Sequence, residues 1–224
     1  MHRHFDTNIE QLTEMLLRLG SMVEEAIGSS IRALLERDSA LAERVIARDD
    51  LIDRAELEID AATVELIAKM QPAAVDLRFV TAVMKVTPEL ERIADLAVDI
   101  CERAVELNRE PQLKPFIDLP RLARIAEEMV RDALNAFVRR DAALARAVIA
   151  RDDEADALTE AIFQELLGYM LADSRNITRA IRLTFIGKYL ERMADSATNV
   201  AEMVVYLAEG RVVKHAGQSG AAPA

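Results

Sequence analysis

Acidic side chains at helical spacing are the residues of this sequence best suited to chemistry. Glu91, Asp95 and Asp99 follow one another at intervals of four residues, which places them in one stripe along a helix. Like charges at this spacing repel, so neighbouring arginines or a bound cation must offset the repulsion. Ligands that offer only carboxylate oxygens suit hard or borderline cations. We therefore predict a metal site, for iron, manganese, magnesium or zinc.

Comparable acidic pairs occur in both halves of the chain. Glu56 precedes the predicted turn at 71–72 and Glu91 follows it, each about 25 Å from the turn, so the two should meet on antiparallel helices. In the second half, a 100-residue register places Asp156 and Glu160 opposite Glu191 in the same way. The predicted metal ligands are Glu56, Asp60, Glu91, Asp95 and Asp99 in the first half, and Asp156, Glu160, Glu191, Asp195 and Asn199 in the second.

A single acidic pair is also typical of a solvated helix face. With 39 Asp and Glu residues in the chain, pairs such as Asp49/Asp53 are expected by chance. The duplication of two pairs at matched heights favours metal binding over this interpretation. Because Asn199 replaces Asp99 in the second stripe, we expect the second site to carry less charge and to bind its cation less tightly, unless Pro88 distorts the first.

The elements that must position these carboxylates are helices. Apolar residues recur at helical spacing almost throughout, and Gly, Pro and aromatic residues are scarce, so we predict an all-α protein. Asp6 or Thr7 should cap a first helix, and Asp38 should cap a second that ends before Pro72. A third helix is expected over 73–108.

Proline and glycine mark the remaining boundaries. Pro88 should kink the third helix or restart it with Thr87 as the cap. Residues 109–120 contain three prolines, which indicates a linker. The remaining helices are predicted over 119–140, 141–171 and 174–209, with Asp141 as an N-cap, Gly210 as a C-cap and a flexible tail over 211–224.

The chain contains an internal repeat. Residues 33–50 read ALLERDSALAERVIARDD and residues 136–153 read AFVRRDAALARAVIARDD, identical at twelve of eighteen positions. ERIAD at 91–95 recurs as ERMAD at 191–195. The registers of 103 and 100 residues differ by nearly one helical turn, so the same faces stay inward. We predict two tandem three-helix bundles, over 1–110 and 111–210, and interpret VIARDD as a packing repeat.

Composition argues against several classes of protein. The net charge of −11 disfavours nucleic-acid binding, and a single cysteine, Cys101, disfavours a disulfide framework and fits the cytoplasm. No signal peptide is visible, and no apolar run is long enough to span a membrane. His2, His4 and His215 all lie in terminal segments, so a di-iron enzyme with histidine ligands is not expected. Walker loops and nucleophile elbows are absent from the sequence.

Several of these motifs resemble those of the PhoU family of bacterial phosphate regulators. They are ERIAD, ERMAD, AKMQPAAVDLR at 68–78 and YMLADSR at 169–175, and the resemblance covers about residues 8–209. It implies two three-helix bundles whose paired E(D)xxxD motifs bind metal ions or small metal clusters. In this sequence those motifs fall on Glu56/Asp60, Glu91/Asp95, Asp156/Glu160 and Glu191/Asp195, of which the third reads DxxxE.

The resemblance also implies a function. It leads us to expect a negative regulator of phosphate uptake and phosphate-starvation signalling, without enzymatic activity, that links the ATPase subunit of a phosphate ABC transporter to a sensor histidine kinase. We expect a cytoplasmic homodimer, peripheral at the inner membrane only through these partners. Two alternatives stay open: a metal-binding helical scaffold without a phosphate role, and an enzyme with a carboxylate-bound metal.

Overall fold

The computed structural model describes residues 2–210, and their side chains from Thr7 onward. Within that range the chain forms α-helices and one short 3-10 turn, and no β-strand. The all-α prediction is confirmed. The helices are α1 His2–Glu36, α2 Ser39–Met70, α3 Ala74–Asn108, α4 Asp118–Arg139, α5 Ala142–Ile149, α6 Asp152–Ala172 and α7 Ile177–Glu209, with the 3-10 turn at Ser174–Asn176.

Two aspartates begin equivalent helices, as predicted. Asp38 accepts a hydrogen bond from the backbone N–H of Leu41 at 2.9 Å, and Asp141 accepts one from Leu144 at 3.0 Å. Gly210 ends α7 with a φ of 68°, the left-handed conformation that glycine adopts without strain. Each helix end therefore satisfies backbone groups that would otherwise lack partners.

Arg37 ends α1 in the left-handed conformation although it is not a glycine, with a φ of 56°. Its guanidinium Nη2 donates to the carbonyl oxygens of Leu107, Asn108 and Glu110, at 3.2, 3.0 and 2.6 Å. The first two oxygens lie at the end of α3, where the last carbonyls of a helix lack partners within it, and the third lies just after the helix. One side chain thus joins the end of α1 to the end of α3, which explains why glycine is absent here.

The predicted starts within α1 and α3 are wrong. α1 begins at His2, upstream of Asp6 and Thr7, because no proline or glycine in that stretch ends a helix. α3 continues through Pro88, and the hydroxyl of Thr87 donates to the carbonyl one turn earlier at 2.9 Å instead of capping a new helix. Buried residues on both sides of the proline hold the helix together across the missing hydrogen bond.

The helix predicted over 141–171 is divided in two. α5 ends at Ile149 and α6 begins at Asp152, and the N–H of Arg151 donates to the carbonyl of Val148 at 3.0 Å, a tighter turn than the α-helix. The identical VIARDD segment stays helical in α2. Since the same six residues do both, the break is set by packing and not by the local sequence.

α3 and α7 form the seam between the two bundles. α3 packs against α1, α2 and α7, and α7 also packs against α4, α5 and α6. Glu89 of α3 accepts from Asn199 of α7 at 3.1 Å, whereas Glu106, farther along α3, accepts from Arg182, nearer the start of α7, at 2.8 Å. The two helices are therefore antiparallel: the C-terminal half of α3 lies beside the N-terminal half of α7.

α1 and α4 supply a second contact between the bundles. Glu24 of α1 lies beside Glu127 and Arg131 of α4, and the charge of Glu127 raises the pKa of Glu24 while that of Arg131 lowers it, both secondary to partial burial. Glu127 is the equivalent of Glu24 at the 103-residue register. Contact between equivalent residues indicates that the repeats are related by an approximate two-fold axis.

An apolar core runs continuously through both bundles. Phe79 of α3 and Phe137 of α4 meet within it, with ring centroids 5.8 Å apart, and the guanidinium of Arg140 covers the Phe79 ring at 5.3 Å. The prediction of two tandem three-helix bundles is confirmed, with the middle helix of the second bundle in two pieces. The predicted tail at 211–224 lies outside the described residues.

Arg37 offers a test of how the helix ends are stabilised. We expect Arg37→Ala to lower the free energy of unfolding by about 1–3 kcal/mol, because three carbonyls at and just after the end of α3 lose a charged donor. Arg37→Gly loses the same bonds but relieves the left-handed backbone, so it should be less destabilising than alanine by about 1 kcal/mol. Urea unfolding followed by circular dichroism measures both. An alanine variant at least as stable as the glycine variant would contradict this account of residue 37.

Candidate metal site

The first acidic cluster lies between α2 and α3, which are antiparallel neighbours. Asp49, Asp53 and Glu56 stand on one face of α2, at helical spacing, and Glu91 and Asp95 stand on the facing side of α3. The charges of the other four carboxylates all act on Glu91, and those of Asp53 and Asp95 act on Asp49 and Glu56 as well. The structure therefore brings Glu56 close to Glu91 across the two helices, as the sequence predicts.

Glu91 is the most strongly perturbed member of this cluster. Its pKa is raised to about 7, first by partial burial and then by the charges of Asp95, Glu56, Asp53 and Asp49. Four like charges around one carboxyl disfavour its ionised form. Near neutral pH, Glu91 is therefore divided between a protonated and an ionised form.

The other members are perturbed in the same direction. Partial burial, followed by the charges of Asp53, Asp95 and Asp50, raises the pKa of Asp49 to about 6. The pKa values of Glu56 and Asp95 are also raised, in both cases mainly by partial burial and then by neighbouring carboxylates. The pKa values are raised on both α2 and α3, so the repulsion belongs to the whole cluster.

The second acidic cluster occupies the equivalent place between α6 and α7. It contains Asp152 and Asp156 of α6 and Glu191 and Asp195 of α7. Partial burial raises the pKa of Asp195 to about 6, with further contributions from Glu191, Asp152 and Asp156. Two contacts moderate the charge: Thr198 donates to Asp152 at 3.3 Å, and Lys188 donates to Glu191 at 3.2 Å.

The predicted register of α6 is wrong. The 103-residue register makes Asp156 the equivalent of Asp53, and Thr159 the equivalent of Glu56. Thr159 is buried, and its hydroxyl donates to the carbonyl of Ala155 at 2.9 Å. The acidic block at the start of α6 keeps the register of the VIARDD repeat, whereas α7 follows the 100-residue register.

Glu160 and Asp60 stand at the margin of the two sites. Glu160 is exposed and accepts a hydrogen bond from Gln164 of its own helix at 2.7 Å. Asp60 acts electrostatically on Glu56, one turn away on α2. On α7, Gly187 packs against Ile162 of α6, two residues beyond Glu160, and has no side chain to offer a cation. The hydrogen bond that Glu160 accepts lies within its own helix.

Asp99 and Asn199 face the seam between the bundles instead of forming the third turn of each acidic stripe. Partial burial raises the pKa of Asp99, as do Glu102 and Asp95, while Arg103 and the Arg192 of α7 lower it. Asn199 donates to Glu89 of α3. The predicted difference between Asp99 and Asn199 consequently affects the α3–α7 contact more directly than the second cluster.

Three cluster members were not among the predicted ligands: Asp49, Asp53 and Asp152. By spacing alone, Asp49 and Asp53 are expected as a chance pair, and VIARDD is predicted to be a packing repeat. The available signal was the repeat itself, because VIARDD ends in acidic residues in both halves, at the register that matches the structure. Tertiary packing was needed to show that these ends point toward ERIAD and ERMAD.

The chemistry of the donor set fits a hard cation. Each cluster offers carboxylate oxygens from two helices, and a cation held among them would relieve the repulsion that raises their pKa values. Among the side chains that the structure describes, from Thr7 to Gly210, however, no three Asp, Glu, His or Cys side chains converge closely enough to hold a metal ion. The assignment of the ligands therefore remains a prediction.

Comparison with known proteins identifies the family. The model of the PhoU domain matches this chain twice, over residues 16–104 and 119–204. The chain belongs to the PhoU family. Each matched range coincides with one bundle, and the linker that precedes α4 separates the two ranges.

Relatives match along nearly their whole length. The phosphate-specific transport system accessory protein PhoU homolog of Aquifex aeolicus is 42% identical over 92% of this chain and 94% of its own. The PhoU protein of Escherichia coli is 35% identical over 95% of this chain and 88% of its own. Both are named as accessory proteins of phosphate transport and neither as an enzyme. No helix within residues 2–210 is long and apolar enough to cross a membrane.

Solved structures of the family share the fold. The crystal structure of PhoU from Pseudomonas aeruginosa superposes with a TM-score of 0.90 at 36% identity, covering 92% of this chain and 100% of that one. The phosphate transport system regulatory protein PhoU of Streptococcus pneumoniae gives a TM-score of 0.88 at 30% identity, covering 93% of this chain and 99% of that one.

The raised pKa values predict how stability depends on pH in protein kept metal-free with a chelator. Between pH 4.5 and 7, folded Glu91 holds a proton that the unfolded chain has released, so the folded state binds more protons. The free energy of unfolding should therefore fall as pH rises through this window. Glu91→Gln should flatten the fall and stabilise the protein at pH 7.5 by about 0.5 kcal/mol, because a like charge is removed. Urea titrations at several pH values measure this.

Glu43→Gln is the matched control for this experiment. Glu43 is an exposed carboxylate on α2, away from the ERIAD motif in sequence. Its removal should leave the slope of stability against pH unchanged. A slope that Glu91→Gln does not alter would show that Glu91 is not repelled by its neighbours in the folded protein.

Proposed function

We propose that this protein is a metal-binding negative regulator of phosphate uptake and phosphate-starvation signalling. It acts as an adaptor between the ATPase subunit of a phosphate ABC transporter and a sensor histidine kinase. The observation that carries the proposal is the double match to the PhoU domain, together with relatives named as accessory proteins of phosphate transport. The S. pneumoniae protein is named as a regulatory protein, which supports regulation over chemistry.

The acidic clusters support the metal-binding part of the proposal. Asp53, Glu56, Glu91 and Asp95 would hold the cation of the first cluster. A bound divalent or trivalent cation supplies positive charge that cancels the repulsion between the helices. Without a cation, the carboxylates of α2 repel those of α3, and in the second cluster those of α6 repel those of α7. Ion occupancy is thus linked to how firmly each helix pair is held.

The composition of the two clusters supports unequal affinities. The first has a carboxylate at Glu56, whereas the second has the hydroxyl of Thr159 at the equivalent position. Lys188 also donates to Glu191, which lowers the negative charge available to a cation. The first cluster should therefore bind more tightly. The replacement of Asp99 by Asn199 leads to the same ranking of the two sites, but the present argument rests on Glu56, Thr159 and Lys188 instead.

The surface supports contact with partner proteins. The net charge of −11 favours encounter with basic surfaces and disfavours anionic lipid, so the protein would reach the inner membrane through its partners. Exposed apolar side chains on α6 and α7, including Phe163, Ile181 and Phe185, offer contact area to a partner. We further propose that the protein is cytoplasmic and forms a homodimer.

Metal content tests the proposed ligands. We expect protein purified without chelator to contain metal, and the combined variant Glu91→Ala/Asp95→Ala/Glu191→Ala/Asp195→Ala to lose most of it, because each cluster loses the carboxylates of one helix. Elemental analysis by mass spectrometry measures the content. The control is Glu10→Ala/Glu14→Ala, an exposed acidic pair with the same spacing on α1. Equal metal in all three proteins would exclude the assignment.

The two half-variants test the difference between the clusters. With only the first cluster intact, in Glu191→Ala/Asp195→Ala, manganese titration should give tighter binding than with only the second intact, in Glu91→Ala/Asp95→Ala. A difference of several-fold is expected from the extra carboxylate of Glu56. Tighter binding by the protein that keeps only the second cluster would contradict the ranking.

The regulatory role is tested in cells. Deletion of the gene should raise expression of phosphate-starvation genes when phosphate is plentiful, because a negative regulator is lost. Affinity purification of the protein should recover the transporter ATPase subunit or the histidine kinase. The combined cluster variant, expressed at normal level, is the control. It shows whether binding to the partner proteins requires the proposed metal ligands. Continued repression in the deletion strain, with neither partner recovered, would favour a metal-binding scaffold without a phosphate role.

A further inference from the structure

A groove of about 430 Å³ opens between α1 and α2 of the first bundle. Val98 of α3 also lines it, and its volume falls in the range of sites for small molecules. It is distinct from the acidic cluster between α2 and α3, although Asp49 borders both. The groove is charged at one end and apolar along the rest of its length.

Three arginines line the groove in a chain whose net charge is −11. Arg48 donates to Glu25 at 2.7 Å, so its charge is already paired. Among the side chains that the structure describes, Arg32 and Arg44 have no ion-pair partner. Both lie toward the turn that joins α1 to α2, at residues 37–38. This end of the groove therefore presents two guanidinium groups that are free to receive an anion.

Apolar side chains line the rest of the groove. Leu41, Val45 and Ile52 of α2 are buried and reach it from one side, while Met22 and Ala26 of α1 reach it from the other. Ala26 is small, which leaves room between the two helices. An apolar chain laid here would be removed from water, at about 25 cal/mol per Å² of its surface.

The second repeat lacks the features that make this groove. Asn135 and Ala147 stand at the positions equivalent to Arg32 and Arg44, and Met129, fully buried, stands at the position of Ala26. The ion pair is retained, because Arg151 donates to Glu128 at 2.7 Å, as Arg48 does to Glu25. The paired arginine is thus part of the repeated framework, whereas the two unpaired arginines and the small alanine belong to the first repeat alone.

We propose that this groove binds a small amphipathic anion, with a phosphate or carboxylate head held by Arg32 and Arg44 and an apolar chain laid along Ala26, Val45 and Ile52. The arginines account for the charge of the head, and the apolar lining accounts for the chain. Asp49 borders the groove and would repel the head, which orients the ligand with its head toward the α1–α2 turn. The site is separate from the proposed metal ligands Glu91 and Asp95, so either can be present without the other.

Decyl phosphate, used below its critical micelle concentration, is the probe for isothermal titration calorimetry. The second repeat supplies the substitutions: Arg32→Asn/Arg44→Ala removes the two charges, and Ala26→Met fills the groove with the residue that the equivalent position already carries. The matched control is Arg124→Asn/Arg139→Ala, which removes two exposed arginines from α4. Circular dichroism verifies that each variant is folded.

We expect decyl phosphate to bind the unsubstituted protein and the control equally, and each groove variant at least tenfold more weakly. Inorganic phosphate and decyltrimethylammonium should bind at least tenfold more weakly than decyl phosphate, because each lacks one half of the recognised chemistry. The proposal would be overturned if both groove variants bound decyl phosphate as tightly as the unsubstituted protein does. It would also be overturned if the unsubstituted protein bound decyltrimethylammonium as tightly as decyl phosphate. If the double variant fails to fold, the result with Ala26→Met decides.

Discussion

The antiparallel packing of α3 against α7 is the contact on which the rest of this structure depends. Each of these helices is the third of its bundle, and each buries side chains over a face wider than one stripe because it has three or more helical neighbours. Arg182 of α7 pairs with Glu106 of α3 at 2.8 Å and with Glu110, just after α3, at 2.5 Å, and Asn199 of α7 pairs with Glu89 of α3. The seam joins two bundles into one body with a continuous core.

The same two helices carry the ERIAD and ERMAD motifs, so the seam also determines where the acidic clusters lie. Each cluster forms on the side of α3 or α7 that meets the second helix of its own bundle. Asp99 sits between cluster and seam, since Asp95 raises its pKa and Arg192 of the other bundle lowers it. Asp99 therefore responds both to a carboxylate of the first cluster and to an arginine of the opposite repeat.

The two repeats share the contacts that stabilise their helices but differ in the residues of the acidic clusters and of the α1–α2 groove. The Arg–Glu pair, the aspartate caps and the left-handed arginines recur at a 103-residue register, and these features stabilise helix ends and helix contacts. The residues that differ, such as Glu56 against Thr159 and Ala26 against Met129, lie in the acidic clusters and in the α1–α2 groove. Thr159 and Met129 are both buried, so at these two positions the second repeat has a core side chain where the first has a cluster carboxylate and a groove wall.

The sequence alone determined the helical class, the tandem repeat and most helix ends, because apolar spacing, caps such as Asp38 and breakers such as Pro72 act over a few residues. It also located Glu56, Glu91 and Asp95, since two helices of known length joined by a turn set their heights. Tertiary structure decided the register of α6, the break before Asp152, the passage of α3 through its proline and the place of Asn199 at the seam. These depend on which helix lies opposite, and a contact between residues a hundred positions apart leaves no local signal.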